Sequence, residues 1–310
     1  MRETAAPVTA ADHAGVRGRI DRVLRGFLAD RRRSLLDIDP ELGLVCDTVD
    51  AFVLRGGKRL RPLFGYWAYR GAGGVDDDAV VAALASLELV QASALIHDDV
   101  MDDSDTRRGE PATHRRFAMV HGDSGWAGDP DGFGASSAIL LGDLCMVWSD
   151  ELLQGSGLDL DNIARARGVF DTMRTELIVG QYLDVLTQVT GETSVQRAAK
   201  VARYKSAKYT VERPMLFGAA LAGADSAVRR AYSGYGLPLG EAFQLRDVIL
   251  GVYGDPARTG KPAGDDLREG KRTYLVASAF EAAGPADRAV LAAGLGDPAL
   301  DRAGVDRLRE

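Results

Sequence analysis

Residues 76–108 read DDDAVVAALASLELVQASALIHDDVMDDSDTRR, and this stretch decides the fold. Three aspartates, Asp76 to Asp78, precede an apolar run from Ala79 to about Met101. Acid at the start of a helix complements the macrodipole, so the run predicts a long helix. Its far end carries His97-Asp98-Asp99-Val100-Met101-Asp102-Asp103, followed by Arg107-Arg108. Asp98 and Asp102 lie four apart and share one face, where like charges repel. A helix C-terminus makes that repulsion worse. Unless the run is a solvated acidic turn, such chemistry calls for a compensating cation, and oxygen-only ligands with room for water suit Mg²⁺. Two guanidiniums beside the cluster match diphosphate oxygens, or salt-bridge the aspartates.

Helical spacing continues on both sides. Over 13–36, Val16, Ile20, Val23, Leu24, Phe27 and Leu28 fall on one face. A shorter helix over 46–54 closes at Gly56-Gly57, and Pro62 opens the next, over 63–69. Further helices are expected over 138–153, 163–189, 195–209, 212–222, 226–250 and 271–283. The segment 118–137 holds Gly122, Gly125, Gly128, Gly132 and Gly134 with Asp129-Pro130-Asp131, and predicts a mobile loop or broken helix. With no repeat and no Pro/Ser-rich linker, one all-α helical domain over 1–310 is expected, although a prior of roughly 150 residues per domain favours two.

The formal charge is −7 and 46% of residues are hydrophobic. An acidic chain has no general pull on nucleic acid, and this apolar content excludes disorder. Cys46 and Cys145 are too few for a disulfide framework and predict buried free thiols. Residues 1–12 show no signal-peptide pattern. No apolar run is expected to reach the ~20 residues of a membrane helix, so a cytoplasmic protein without stable membrane insertion is expected.

Three other constellations carry chemistry. Gly56-Gly57-Lys58-Arg59-Leu60-Arg61-Pro62 sets basic residues at a turn-to-helix junction. Glycine admits a ligand to the backbone, and a helix N-terminus welcomes anions. Phe243-Gln244-Leu245-Arg246-Asp247 again puts acid near a helix end, with Asp255, Lys261, Asp265-Asp266 and Lys271-Arg272 beyond it. Tyr204-Lys205-Ser206 lies within a helix, where a lysine ordinarily snorkels to the surface.

GGKRLRP, LIHDDVMD and GDPARTGKPAGDDLREGKRT, in this order over 56–273, resemble the trans-isoprenyl diphosphate synthase (polyprenyl synthetase) family. The nearest resemblance is to actinobacterial geranylgeranyl diphosphate synthases. It implies an isoprenoid synthase fold, a helical bundle around an apolar cavity. It also implies a transferase that condenses isopentenyl diphosphate with an allylic diphosphate (dimethylallyl, geranyl or farnesyl), and a homodimer. About three Mg²⁺ ions are implied per site, two on Asp98 and Asp102 with Asp99 in support, and one on Asp247. Arg107, Lys205 and Lys261 then contact the allylic diphosphate; Lys58, Arg61, Gln91 and Arg108 take isopentenyl diphosphate. Ser206 and Gln244 fall near the reacting allylic carbon. No histidine nucleophile is needed, so His97, His114 and His121 are read as structural or supporting. Family members also continue past the point where this chain stops: Val305 to Glu310 end without a C-cap signal, and missing C-terminal helices are expected.

One departure is plain. The second aspartate motif reads Asp247-Val248-Ile249-Leu250-Gly251, with Val248 in place of an acid. Asp255 or the Asp265-Asp266 pair then compensates, or the chain is a weakly active or regulatory subunit. A class I terpene cyclase is the other alternative, but the N-D-x-x-S-x-x-x-E metal motif is absent from the sequence. Below the first motif, Ser93 and Ala94 are small and leave a channel open past a C15 chain. Leu87 and Val90 are candidates for its floor. The expected product is geranylgeranyl diphosphate (C20).

Overall fold

The computed structural model describes residues 9–254, 264–297 and 299–310. Among them the only strands are two residues long, Thr106–Arg107 (β1) and Glu110–Pro111 (β2), paired antiparallel. Everything else regular is helix, so the all-α expectation holds. Backbone contacts divide the chain into two compact units.

The first unit takes residues up to Leu95, Ile139–Phe170 and Arg213–Ser233. It contains α1 (Ala10–Ile38), α2 (Gly43–Leu54), α3 (Leu60–Gly71), α9 (Arg213–Leu221) and most of α4 (Asp78–Met101). Thr9 and Asp12 form a capping box that starts α1. Val16, Ile20, Leu24 and Leu28 are its buried stripe, as the spacing predicts. Val23 and Phe27 flank the stripe half-buried, with Phe27 edge-on to Trp148 at 6.2 Å. The α4 helix is apolar nearly all round, the pattern of a helix enclosed by others. Val80, Leu84, Leu87, Leu89 and Val90 are each at most 1% exposed.

The second unit takes Ile96–Ala138, Asp171–Glu212 and the described residues from Gly234 onward. It holds the end of α4, the β1–β2 hairpin, α5 (Thr113–Asp123), the start of α6 (Pro130–Gln154), most of α7 (Leu160–Thr190), α8 (Val195–Val201) and most of α10 (Ser226–Tyr253). Between α8 and α9 the chain is a π-helix over Ala202–Glu212. Short helices follow at Tyr274–Ala282, Pro285–Gly294 and Arg302–Arg309. They close a small core of Val252, Leu267, Val276, Phe280 and Val305.

One expectation is narrowed and two need correction. Of the two forms expected for 118–137 the structure takes the broken helix: α5 ends at Asp123 and α6 begins at Pro130, because Asp129-Pro130-Asp131 is a helix start. The Asp129 carboxylate accepts the amides of Asp131 and Gly132 at 3.1 and 3.0 Å, and Pro130 opens the first turn. Gly134 sits inside α6 because a Cβ there would lie 2.3 Å from the His114 carbonyl oxygen of α5. Residues 271–273 lie before their helix, which begins where Thr273 caps it. Finally, α4 and α6 are long and apolar enough to cross a membrane, with mean hydropathies of 1.9 and 1.3 over 18 residues. For α4, 72% of that window is buried inside the protein, which identifies a core helix.

Candidate active site

The last turn of α4 closes with the Asp102 amide donating to the Asp98 carbonyl at 2.8 Å. Asp103 then adopts a left-handed φ of 52°, a conformation that ends helices, and the chain turns into the β1–β2 hairpin. The hairpin reverses at Arg108 and Gly109, with φ of 57° and 80°, and returns Arg107 toward the helix end. Arg107 Nε reaches both oxygens of Asp99 at 3.0 and 3.1 Å, and Nη2 also donates to Asp99. Asp99 is fully buried. The salt bridge to the aspartates is therefore the arrangement Arg107 adopts here.

Lys205 comes from the π-helix. The wider turn departs from the 3.6-residue repeat and re-aims the side chains it carries. Two glycines let neighbouring helices press against it. A Cβ on Gly180 of α7 would lie 2.4 Å from the Lys205 amide nitrogen, and one on Gly240 of α10 would lie 2.4 Å from the Ala207 carbonyl oxygen. Thus held, Lys205 Nζ donates to Asp98 Oδ1 at 2.9 Å and Asp184 Oδ2 at 2.6 Å. It is an internal ion pair, not a snorkelling residue. Gln181 Nε2 adds a hydrogen bond to Asp98 at 2.9 Å. Asp102 pairs with Lys271 at 3.0 Å, and Lys271 also contacts Glu269 at 2.5 Å. The Ser206 hydroxyl donates to Gln244 Oε1.

These partners shift the ionisations. Burial favours a neutral Asp98, but Lys205, Lys271 and Arg107 overcome it and hold the carboxyl below the usual carboxylate range. Asp102 goes the other way, raised by burial and then by the Asp98 charge one turn away. Lys205 is raised despite its burial, because Asp98 and Asp184 surround it. Five carboxylates (Asp98, Asp99, Asp102, Asp184, Glu269) thus share three cations (Arg107, Lys205, Lys271). The surplus negative charge fits a hard divalent cation, which Asp98 and Asp102 would hold. Among the described residues no three such side chains form a ready-made metal cage.

Asp247 lies exposed on α10, whereas Val248 is 7% exposed and belongs to the core. One turn on, a Cβ at Gly251 would lie 2.3 Å from Asp266 Oδ2, so the Asp266 carboxylate rests against this helix. Asp266 also helps raise Lys271. Lys261 and Asp255, and the Asp265 side chain, lie outside the described residues. Arg108 is exposed at the hairpin turn. In the first unit Lys58 is exposed, and Arg61 and Gln91 are half-buried. Ala94 lies one turn before Asp98 on its face, and Leu87 falls near the same face at about 100° per residue. Ser93 is fully buried and turned about 140° from Asp98, so it does not share that face. Val90 is likewise fully buried.

Sequence reasoning passed over Gln181, Asp184 and Glu269, and saw Lys271 only as part of a basic pair. The available signal was Gln181 and Asp184 themselves, three apart in the helical run that follows Gly180.

The all-α fold, with an acid-and-ammonium cluster at the end of α4, belongs by its family match to the class of the trans-prenyltransferases. The chain belongs to the polyprenyl synthetase family, whose model matches residues 44–309. A crystal structure of geranylgeranyl pyrophosphate synthase from Corynebacterium glutamicum, complexed with isoprenyl diphosphate and magnesium, is similar at 41% identity with a TM-score of 0.89, over 96% of this chain and 84% of that one. A geranylfarnesyl diphosphate synthase of Aeropyrum pernix is 37% identical over 233 residues, 74% of this chain and 68% of that protein. A farnesyl diphosphate synthase of Mycobacterium tuberculosis is 34% identical over 239 residues, 76% of this chain but 60% of its own length.

The opposite shifts of the two aspartates give a test. Asp98, depressed, stabilises the fold above the carboxylate range and loses that effect as pH falls. Asp102, raised above its ordinary 3.8, loses stability as pH rises through its folded pKa. Asp102→Asn removes the second effect, while Lys271 keeps Glu269 and Lys205 keeps Asp98 and Asp184. In metal-free buffer Asp102→Asn should melt at a higher temperature than wild type near pH 7, with the gain vanishing toward about pH 3. Circular-dichroism melts across that range measure it, and a lower melting temperature at pH 7 contradicts it.

Proposed function

We propose that this chain condenses an allylic diphosphate with isopentenyl diphosphate in a Mg²⁺-dependent reaction, and that its product is geranylgeranyl diphosphate. The observation that carries the reading is the surplus of buried carboxylate around Asp98 and Asp102, set against Lys205, Lys271 and Arg107. Asp98 and Asp102, with Asp99 in support, would hold Mg²⁺, and Asp247 would hold a further ion, about three in all. Bound Mg²⁺ supplies neutralisation of the diphosphate's charge.

The residues of the chain do the rest. Arg107, Lys205 and Lys261 bind the allylic diphosphate; Lys58, Arg61, Gln91 and Arg108 bind the isopentenyl diphosphate. The allylic C–O bond breaks and its electron pair leaves with diphosphate, whose oxygens Lys205 stabilises. The Ser206 and Gln244 oxygens face the cationic carbon. The isopentenyl double bond supplies the electrons of the new C–C bond, and the proton lost goes to the released diphosphate. The apolar helices exclude water from the cation.

Three features bear on the finer points. Ala94 leaves space on the Asp98 face, and Leu87 stands further down near it, which favours C20. The relatives divide among farnesyl, geranylgeranyl and geranylfarnesyl synthases, so the small residue at 94 carries the choice of length. Asp266, lying against Gly251, supplies the acid that Val248 lacks. A homodimer is supported by the exposed apolar positions Ile139, Leu140 and Val147 on α6.

Purified protein given Mg²⁺, isopentenyl diphosphate and each allylic primer should release a C20 product, and none when Mg²⁺ is chelated. Without product under any primer, the reading fails. Ala94→Phe should shift the product from C20 toward C15, read by chromatography of the dephosphorylated alcohols; an unchanged distribution removes the cavity argument. Val248→Asp should lower stability by about 2–5 kcal/mol through a buried carboxylate and leave the turnover rate no higher. Denaturant melts and steady-state rates check it, and a gain in rate would show that the acid missing at 248 limits catalysis.

A further inference from the structure

Lys58, Arg59 and Arg61 are three basic residues in one short stretch, and sequence treats them alike. The structure separates them. Lys58 is exposed, while the Arg59 side chain is 3% exposed and turned into the first unit. Each nitrogen of its guanidinium is engaged. Nε donates to Asp21 Oδ1 of α1, Nη1 to Glu88 Oε2 of α4 and Nη2 to the Val53 carbonyl of α2, all at 2.8 Å. One side chain therefore ties three helices to the turn that opens α3.

The backbone is shaped for this. Gly56, Gly57 and Arg59 take left-handed φ values of 77°, 85° and 54°. Such a φ at Arg59 is strained for a residue with a Cβ, and the buried guanidinium holds it there. A Cβ on Gly57 would come 3.1 Å from Arg59 Nη1, so glycine leaves the guanidinium its place. Glu88 is itself 8% exposed, and a buried pair is tolerated only when its geometry and hydrogen bonds are complete.

Glu88 and Gln91 are three apart on α4 and so share a face. The Arg59–Glu88 bond consequently fixes the turn bearing Lys58 and Arg61 in register with the helix turn bearing Gln91. We propose that Arg59 and Glu88 are a positioning pair for the isopentenyl diphosphate site, touching no substrate but setting where Lys58, Arg61 and Gln91 meet it. This rests on the reading that those three residues bind isopentenyl diphosphate. An ammonium at position 59 cannot reproduce a three-point planar fork, so Arg59→Lys is not conservative here.

The test measures KM for each substrate, with the other saturating, in wild type, Lys58→Ala, Arg59→Lys and Glu88→Gln. Both positioning variants should raise KM for isopentenyl diphosphate about tenfold or more, with KM for the allylic diphosphate within about twofold of wild type. Equal losses in both KM values and kcat would indicate a purely structural role and overturn the proposal, as would unchanged KM values in the folded variants. If Lys58→Ala leaves the isopentenyl KM unchanged, the substrate assignment itself fails and the proposal falls with it. Should Arg59→Lys and Glu88→Gln not fold, Asp21→Asn, whose carboxylate is 30% exposed, removes one of the three bonds and should raise the same KM about threefold. An unchanged value there overturns the proposal.

Discussion

A buried carboxylate needs a cation, and the ammonium of Lys205 shared between Asp98 and Asp184 is the contact on which this site depends. Charges removed from water are tolerated only when paired and hydrogen-bonded. That requirement reaches far along the chain. It asks for a π-helix at 202–212 to present the lysine and for Gly180 and Gly240 to admit that segment. It also asks for Gln181 to complete the shell of Asp98.

The pairing is incomplete by design of the charges. Arg107 is spent on Asp99, Lys205 on Asp98 and Asp184, and Lys271 on Asp102 and Glu269. Asp102 is left with burial and a like-charged neighbour that its lysine does not fully offset. A transferase that must collect divalent cations and two diphosphates gains from that carboxylate, because the metal reverses the local sign of charge. The same logic would let a chain of net charge −7 take up polyanions.

Much of the architecture was legible because helical periodicity is local. The stripe Val16, Ile20, Leu24, Leu28 and the enclosed α4 follow from spacing, and so does the shared face of Asp98 and Asp102. Where reading failed, one chemical signal had two meanings. Asp129-Pro130 left loop and broken helix both open over 118–137, and the side-chain bonds to following amides fixed the second helix start. Lys205 has the composition of a surface lysine until Asp98 and Asp184 are brought to it. Val248 departs from an acidic motif, yet its place in the core accounts for an apolar residue there.

By itself the sequence determined the helical class, the acidic end of α4 and the family whose motifs it carries. Tertiary structure decided which charges pair. Gln181 and Lys205 are 83 and 107 residues from Asp98, and no periodicity links positions so distant. It also decided which of Lys58, Arg59 and Arg61 turns inward. Helix and motif are set by neighbours along the chain, whereas burial, and with it the strength of every charge interaction, is set by what the fold packs around them.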